Sequence, residues 1–258
     1  MATVRRVLAP NGGPYTGPGT NTWVLGDAPA AVVIDPGPDD DAHLEAVERA
    51  LGTLALGAVL VTHSHVDHLP LAGRLAERHG VRVLRWPDLA DGDLVRVGSL
   101  ELEALHTPGH SGDHLCFWLP GDRVAFTGDL VLGRGSTLIA HPDGDVAQFL
   151  ESLDRLRRLR PRLLFPGHWD PVREPERKLE EYRAHRLARE QQLLEELGRG
   201  PGSAPELTRR LYGPEGLPEQ LMVAAELTVR AHLKKLVAEG RASAQGESFL
   251  LSAGPGER

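Results

Sequence analysis

Apolar positions along the chain fall into two textures. Over roughly the first 170 residues, short β-rich runs alternate with stretches of helical period. Runs at 22–26 and 31–35 flank a turn at 27–30 that contains Pro29, a pattern that predicts a hairpin. Residues 40–51 carry apolar side chains at helical spacing behind three aspartates, where a helix dipole favours anions. The run 58–62 (AVLVT) is almost uniformly apolar and suits a strand covered on both faces. A helix is predicted at 69–80, with Pro70 in its first turn, where a missing N–H costs nothing. Strands are predicted at 81–85, 94–97, 100–106, 115–119 and 123–127, then a helix at 145–159 and a strand at 163–165. Two batches of strands with helices between them predict sheets packed face to face under a helical cover.

Beyond Asp170 the pattern changes. Residues 174–197 read as a long, charged, uncapped helix, and 198–205 (GRGPGSAP) as a linker. Helices at 206–212 and 218–239, then two short β runs around Gly246, predict a winged-helix-like module. The organisation expected is a first domain at 1–172, a connecting helix and linker at 173–200, and a small α+β domain at 201–258. No internal repeat or low-complexity tract interrupts it.

Composition narrows the class. With 258 residues, 41% hydrophobic and 25% charged, the chain is neither disordered nor fibrous. A chain of this length buries about 70–75% of its unfolded surface, enough for a core without staples. Cys116 is the single cysteine, so no intramolecular disulfide forms, which fits a reducing compartment. The first ten residues hold no apolar run long enough for a signal-peptide core, and no stretch of about 18 uncharged apolar residues occurs. The expectation is a cytoplasmic protein that spans no membrane. Residues 1–150 carry 10 Lys+Arg against 19 Asp+Glu, a balance of −9, whereas 151–258 carry 19 against 17, or +2. Cations would collect in the acidic half, and an anionic partner would be tolerated in the other.

The segment Thr62-His63-Ser64-His65-Val66-Asp67-His68 carries the chemistry. Four metal-capable side chains fall within six residues, directly after an apolar strand. Strand alternation puts His63 and His65 on one side, and the following turn can return Asp67 and His68 to a second position. Given 12 His and 16 Asp in the chain, the spacing HxHxDH arises by chance roughly 0.002 times. Imidazole and carboxylate suit zinc, and also manganese or iron; the lack of thiolate argues against a structural zinc site.

HxHxDH after a strand resembles the signature of the metallo-β-lactamase superfamily. The chain supplies further matching positions in the family's order: His110 in Thr107-Pro108-Gly109-His110, Asp129 in Thr127-Gly128-Asp129, and His168 in Pro166-Gly167-His168. The resemblance implies an α/β fold, a four-layer αββα sandwich, with two divalent metal ions, zinc first, at one edge of its sheets. It implies that His63, His65 and His110 bind the first ion, that Asp67, His68 and His168 bind the second, and that Asp129 bridges them. The reaction implied is hydrolysis, with paired cations lowering the pKa of water and Asp67 orienting the nucleophile. Family members commonly have glycine after the DH pair. This chain has Leu69-Pro70, a departure expected to alter the helix start rather than the metal site.

His114, in Ser111-Gly112-Asp113-His114, is a candidate catalytic acid or a residue that orients a ligand; the alternative is a strand-edge histidine. Residues 133–137 (GRGST) offer backbone N–H groups, hydroxyls and a guanidinium to an anionic substrate, or form a plain loop after Asp129.

The superfamily cleaves many bonds, so fold alone leaves the substrate open. The tail, with His185-Arg186, Arg189-Glu190-Gln191-Gln192 and Ala231-His232-Leu233-Lys234-Lys235-Leu236, resembles the beta-lactamase-like protein 2 branch. That branch implies an endoribonuclease acting on single-stranded RNA. Arg155, Arg157, Arg158, Arg160 and Arg162 add a basic run, unless they are merely the solvated face of a helix. The alternatives are a small-molecule thioester or lactone hydrolase and a non-enzymatic binding module. A homo-oligomer is compatible with either. β-Lactam cleavage is disfavoured, because the cysteine ligand of many such enzymes has no counterpart at the Asp129 or His168 motifs.

Overall fold

The computed structural model describes residues 2–214 and 216–252; Met1, Glu215 and the last part of the expected small domain, 253–258, lie outside the described residues. The elements in chain order are β1 (Thr3–Leu8), β2 (Asn21–Asp27), β3 (Ala30–Ile34), α1 (Asp41–Leu51), β4 (Ala55–Leu60), α2 (Ala72–His79), β5 (Val83–Leu84) and β6 (Leu94–Val97). They continue with β7 (Leu100–His106), β8 (Leu115–Leu119), β9 (Val124–Gly128), α3 (Val146–Arg158), β10 (Leu163–Pro166) and α4 (Pro175–Arg199). The last elements are β11 (Gly202–Ser203), α5 (Ala204–Tyr212), α6 (Glu219–Ala238), β12 (Ala242–Gln245) and β13 (Ser248–Leu251). The chain divides into two compact units, one of residues up to Thr107 with Asp113–Thr137 and Ser152–Leu179, the other of Pro108–Gly112, Leu138–Glu151 and Glu180 onward.

The first unit is built on two five-stranded sheets, β1-β2-β3-β4-β5 and β10-β9-β8-β7-β6. Period-2 alternation sorts the side chains of the first sheet. Trp23, Leu25, Val32, Ile34 and Leu60 face Leu102, Phe117 and Phe126 of the second sheet in one buried cluster. Val24, Val33 and Val59 point the other way, onto Leu44 and Val47 of α1 and Leu75 of α2. Asp40 caps α1 by accepting the His43 backbone N–H at 2.7 Å, as its position ahead of the apolar run requires. The sandwich expected from the strand batches is the observed architecture.

Several boundaries differ for local reasons. β1 is a strand the hydrophobic pattern does not announce: Arg5 and Arg6 break its apolar run, and as an edge strand it needs only β2 as partner. Predicted strand 58–62 begins earlier and stops at Leu60, because the Thr62 backbone N–H and hydroxyl are drawn instead to the Asp35 carboxylate, at 2.7 and 2.8 Å. Pro70 stands in the turn before α2 rather than in its first turn. The linker expected at 198–205 contracts to the Gly200-Pro201 step: α4 runs on to Arg199, and Gly202–Ser203 pairs with β13.

In the second unit, α5 and α6 are followed by the β12–β13 hairpin, turning at Gly246, with β13 central in a three-stranded sheet. Glu206 reaches back to the Ser203 backbone N–H at 2.8 Å, half of a capping box. Leu193, Leu197, Leu207, Val229, Leu233 and Leu236 make the core. Buried Glu190 is neutralised by Lys235, at 2.7 Å, and by Arg241. His232 is a costlier resident. It is 1% exposed, and neither ring nitrogen has a hydrogen-bond partner among the described residues. Burial, with Arg186 and Lys235 nearby, pushes it down to about 3.

Two consequences are measurable. Trp23 packs at 4.9 Å from Phe165 and donates its indole N–H to the Pro166 carbonyl at 3.0 Å. Trp23→Ala should therefore cost about 3–5 kcal/mol in denaturant unfolding. Because the folded state holds His232 neutral, its contribution is complete above pH 6.5 and is lost as pH falls from there toward about 3. Acid unfolding followed by helical circular dichroism should lose stability across that window, and His232→Leu should lose less.

Candidate metal centre

The site forms where strands end. β9 and β10 run parallel, so Asp129 and His168 emerge at the same edge of their sheet. The β4 end delivers the His63–His68 loop, and the β3 end delivers Asp35. Within the loop, His68 and Leu69 donate their backbone N–H groups to the His65 carbonyl at 3.0 and 3.1 Å. That turn carries Asp67 and His68 back under His63. The Leu69-Pro70 departure leaves it intact.

Asp67, His68, Asp129 and His168 each offer a ligand atom, all within 4.8 Å of one another. His68 Nε2 lies 3.5 Å from both Asp67 Oδ2 and Asp129 Oδ1. His168 Nε2 lies 3.2 Å from Asp67 Oδ2 and 3.4 Å from Asp129 Oδ2. The opposite ring nitrogens are held: His68 Nδ1 by Asp35 Oδ2 at 2.9 Å, and His168 Nδ1 by the Gly19 carbonyl at 3.1 Å. A carbonyl only accepts, so His168 carries its proton on Nδ1 and, when neutral, turns a lone pair toward two carboxylates. That arrangement demands a positive charge between them.

The proton affinities say the same. Burial opposes charge on His68 and His168, but Asp35 and Asp129 lift His68 well above its ordinary value, and Asp129 and Asp67 lift His168 to about 10. Burial likewise opposes charge on Asp67 and Asp129, yet the two imidazoles hold Asp67 below, and Asp129 well below, the usual carboxylate range. A divalent cation would replace these protons. The buried His68 Nε2, without a hydrogen-bond partner among the described residues, is the atom such an ion would take up. The donor set fits the group.

His63 is buried, and its Nε2 sits 2.9 Å from Nδ1 of the exposed His65, so two further imidazole nitrogens face one point. His110 belongs to the second unit. It is buried there behind Gly109, with its Nδ1 donating to the Leu138 carbonyl at 2.7 Å, which puts the lone pair on Nε2.

Two expectations change. His114 is fully buried: its Nε2 accepts the Asp129 backbone N–H at 3.2 Å, and its Nδ1 donates to the Thr107 hydroxyl at 3.0 Å. With one nitrogen accepting and the other committed to a buried hydroxyl, it holds Asp129 in place and has no proton positioned for a leaving group. The arginine run is not one patch. Arg160 and Arg162 precede β10, a strand's length of about 13 Å from the His168 end, whereas Arg155 donates to the His106 carbonyl at 3.1 Å. Among the described residues three of its five members are ion-paired, Arg155 with Asp91, Arg157 with Glu176 (both 2.6 Å) and Arg162 with Asp122 (3.8 Å).

Asp35 and Asn21 are functional residues the motifs did not announce. Asp35 spans His68 and Thr62, and Asn21 Nδ2 donates to the carbonyls of Pro166 (2.9 Å) and Trp169 (2.7 Å), bracketing His168. An aspartate terminating the apolar run AVVI was the available signal for the first. Gly167 is obligatory: a Cβ there would stand 2.5 Å from Asp129 Oδ1 and 2.7 Å from His68 Cε1.

Asp35→Asn should weaken divalent-ion binding by about 10–100-fold, because it loosens the ring that Asp35 orients. Competition against a chromogenic chelator measures this, and Thr62→Val serves as comparator. An unchanged affinity would show that Asp35 does not orient His68.

Comparison with known proteins agrees with this geometry. Residues 15–85 and 82–168 match the model of the metallo-beta-lactamase superfamily, and residues 203–249 that of the beta-lactamase-associated winged helix domain. The chain is similar to a beta-lactamase-like protein 2 homolog of Drosophila melanogaster, 31% identical and covering 93% of this chain and 89% of that one. It is similar to an atrochrysone carboxyl ACP thioesterase of Aspergillus chevalieri, 30% identical and covering 85% and 77%. Among solved structures, a metallo-beta-lactamase family protein of Thermus thermophilus superposes with a TM-score of 0.81, at 25% identity over 97% of this chain and 98% of that one. Another similar structure, solved in a di-iron-bound form, has a TM-score of 0.55 at 28% identity over 66% and 94%. The chain belongs to the metallo-β-lactamase superfamily, as a hydrolase carrying the superfamily's associated winged helix domain.

Proposed function

We propose that this hydrolase cleaves acyl thioesters with the help of two divalent cations, zinc first among zinc, iron and manganese. The observation that carries the hydrolytic part is the convergence of Asp67, His68, Asp129 and His168, with lone pairs and carboxylates aimed at one point. In this reading His63, His65 and His110 hold the first cation, Asp67, His68 and His168 the second, and Asp129 both. The similar structure in di-iron form supports a paired-metal centre. The thioester part rests on the relative named as an acyl-carrier-protein thioesterase, whose likeness extends over 85% of this chain.

Bound cations supply Lewis acidity and lower the pKa of water. The protein's own work is positioning. Asp67, part exposed at the mouth of the loop, orients the attacking water. Asp35 and Gly19 fix the two imidazoles so that no reorganisation is needed as negative charge develops. Oxygen adds to the acyl carbon, the C–S bond breaks, and the departing sulfur takes up a proton, giving an acid and a thiol.

Cleavage of single-stranded RNA is the second reading, supported by the winged helix match at residues 203–249. The arginine run adds little to it, since Arg155 and Arg157 are spent on ion pairs.

Asp67→Ala and His168→Ala should each lower kcat/KM on an acyl-thiol substrate at least about 100-fold, and a chelator should abolish turnover until metal is returned. Metal-loaded protein that cuts single-stranded RNA and leaves acyl thiols intact would replace the first reading with the second.

A further inference from the structure

Trp169, next to His168, is held in an unusual conformation. Its φ is +70°, a region that favours glycine, and its backbone carbonyl is clamped by Asn21 Nδ2 at 2.7 Å. Gly17 lies against one part of the indole so closely that a Cβ would come within 2.4 Å of the ring. Arg134 lies over the ring, 5.4 Å from its centroid. A bulky residue kept in a costly backbone conformation beside a candidate ligand is a reason to look for a use.

The loop that bears Arg134 is tied to the same place. Gly133 donates its backbone N–H to the His168 carbonyl at 3.1 Å, and a Cβ on Gly133 would collide with Asp170 and Trp169. Arg134 is therefore anchored one residue from a hydrogen bond to His168. Its guanidinium is exposed, and among the described residues no carboxylate pairs with it. Asp170, next in sequence to the Trp169 on which Arg134 stacks, is taken by Arg6 at 2.7 Å. Stacking on an indole orients a guanidinium and leaves its in-plane N–H edge available to an anion.

We propose that Arg134 and Trp169 form the anion subsite of the centre, and that the anion is a phosphate on the thiol arm of the substrate. The inference rests on the thioester reading above. Guanidinium N–H groups match phosphate oxygens bidentately, and Trp169 fixes the plane in which they do so. The net balance of −9 over residues 1–150 disfavours anions in general, which makes a guanidinium without a carboxylate partner the more selective.

The test uses the metal-loaded full chain and two thioesters of one acyl group, with coenzyme A (anionic) and with N-acetylcysteamine (uncharged). Arg134→Gln should raise KM for the coenzyme A ester by about tenfold or more with kcat within about twofold, and leave the N-acetylcysteamine ester unchanged. Arg134→Lys should recover part of the loss, and added salt should raise KM for the anionic ester alone in the unmutated protein. Equal effects of Arg134→Gln on both esters, or none on either, would overturn the subsite. If neither ester is hydrolysed, the thioester reading fails, and coenzyme A titrated against tryptophan fluorescence decides the subsite separately. Binding weakened about tenfold by Arg134→Gln and with its signal lost in Trp169→Phe supports it. Absent binding, or binding equal in Arg134→Gln, overturns it.

Discussion

Asp35, Asp67 and Asp129 are drawn to one buried edge of a sandwich, against two imidazoles whose other nitrogens are already committed. Like charges in so little water repel strongly, and protons on His68 and His168 compensate them while no cation is bound. Much of the surrounding structure serves to keep that arrangement from relaxing. β4 gives up Thr62 to Asp35, Gly167 leaves room for Asp129 and His68, and Asn21 fastens the backbone on either side of His168. The core does the same work at longer range, since Trp23 joins the buried cluster to the Pro166 carbonyl two residues before His168.

Charge on this molecule is partitioned by function. The carboxylates that gather cations converge at the strand ends, whereas Arg155, Arg157 and Arg162 of the basic run are spent on ion pairs. Arg134 is the exception that the loop after Asp129 brings back to His168. The second unit solves a different problem: it neutralises buried Glu190 with two cations and keeps His232 uncharged.

The parts of this account legible in the sequence are those encoded over short distances. Short β-rich runs announced the sheets, and HxHxDH announced its loop, because both patterns are complete within a few residues. Asp67, His68, Asp129 and His168 each offer a ligand atom within 4.8 Å of the others. What was not legible depends on residues far apart in the chain. Asp35 acquires its meaning only beside His68, Asn21 only beside Pro166, and His114 only by accepting the Asp129 N–H, the ligand-orienting one of the roles it was offered. β1 escaped because an edge strand needs little hydrophobic pattern, and the arginine run misled because composition cannot tell a paired charge from a free one. No helix among the described residues is long and apolar enough to cross a membrane, in line with the hydropathy.

The central claim is that these side chains exist to hold paired cations. Calorimetric titration of metal-stripped protein with zinc tests it most directly. Two ions bound per chain, with protons released as His68 and His168 exchange them for metal, is the result expected. A single ion, or none, with no proton release would contradict it.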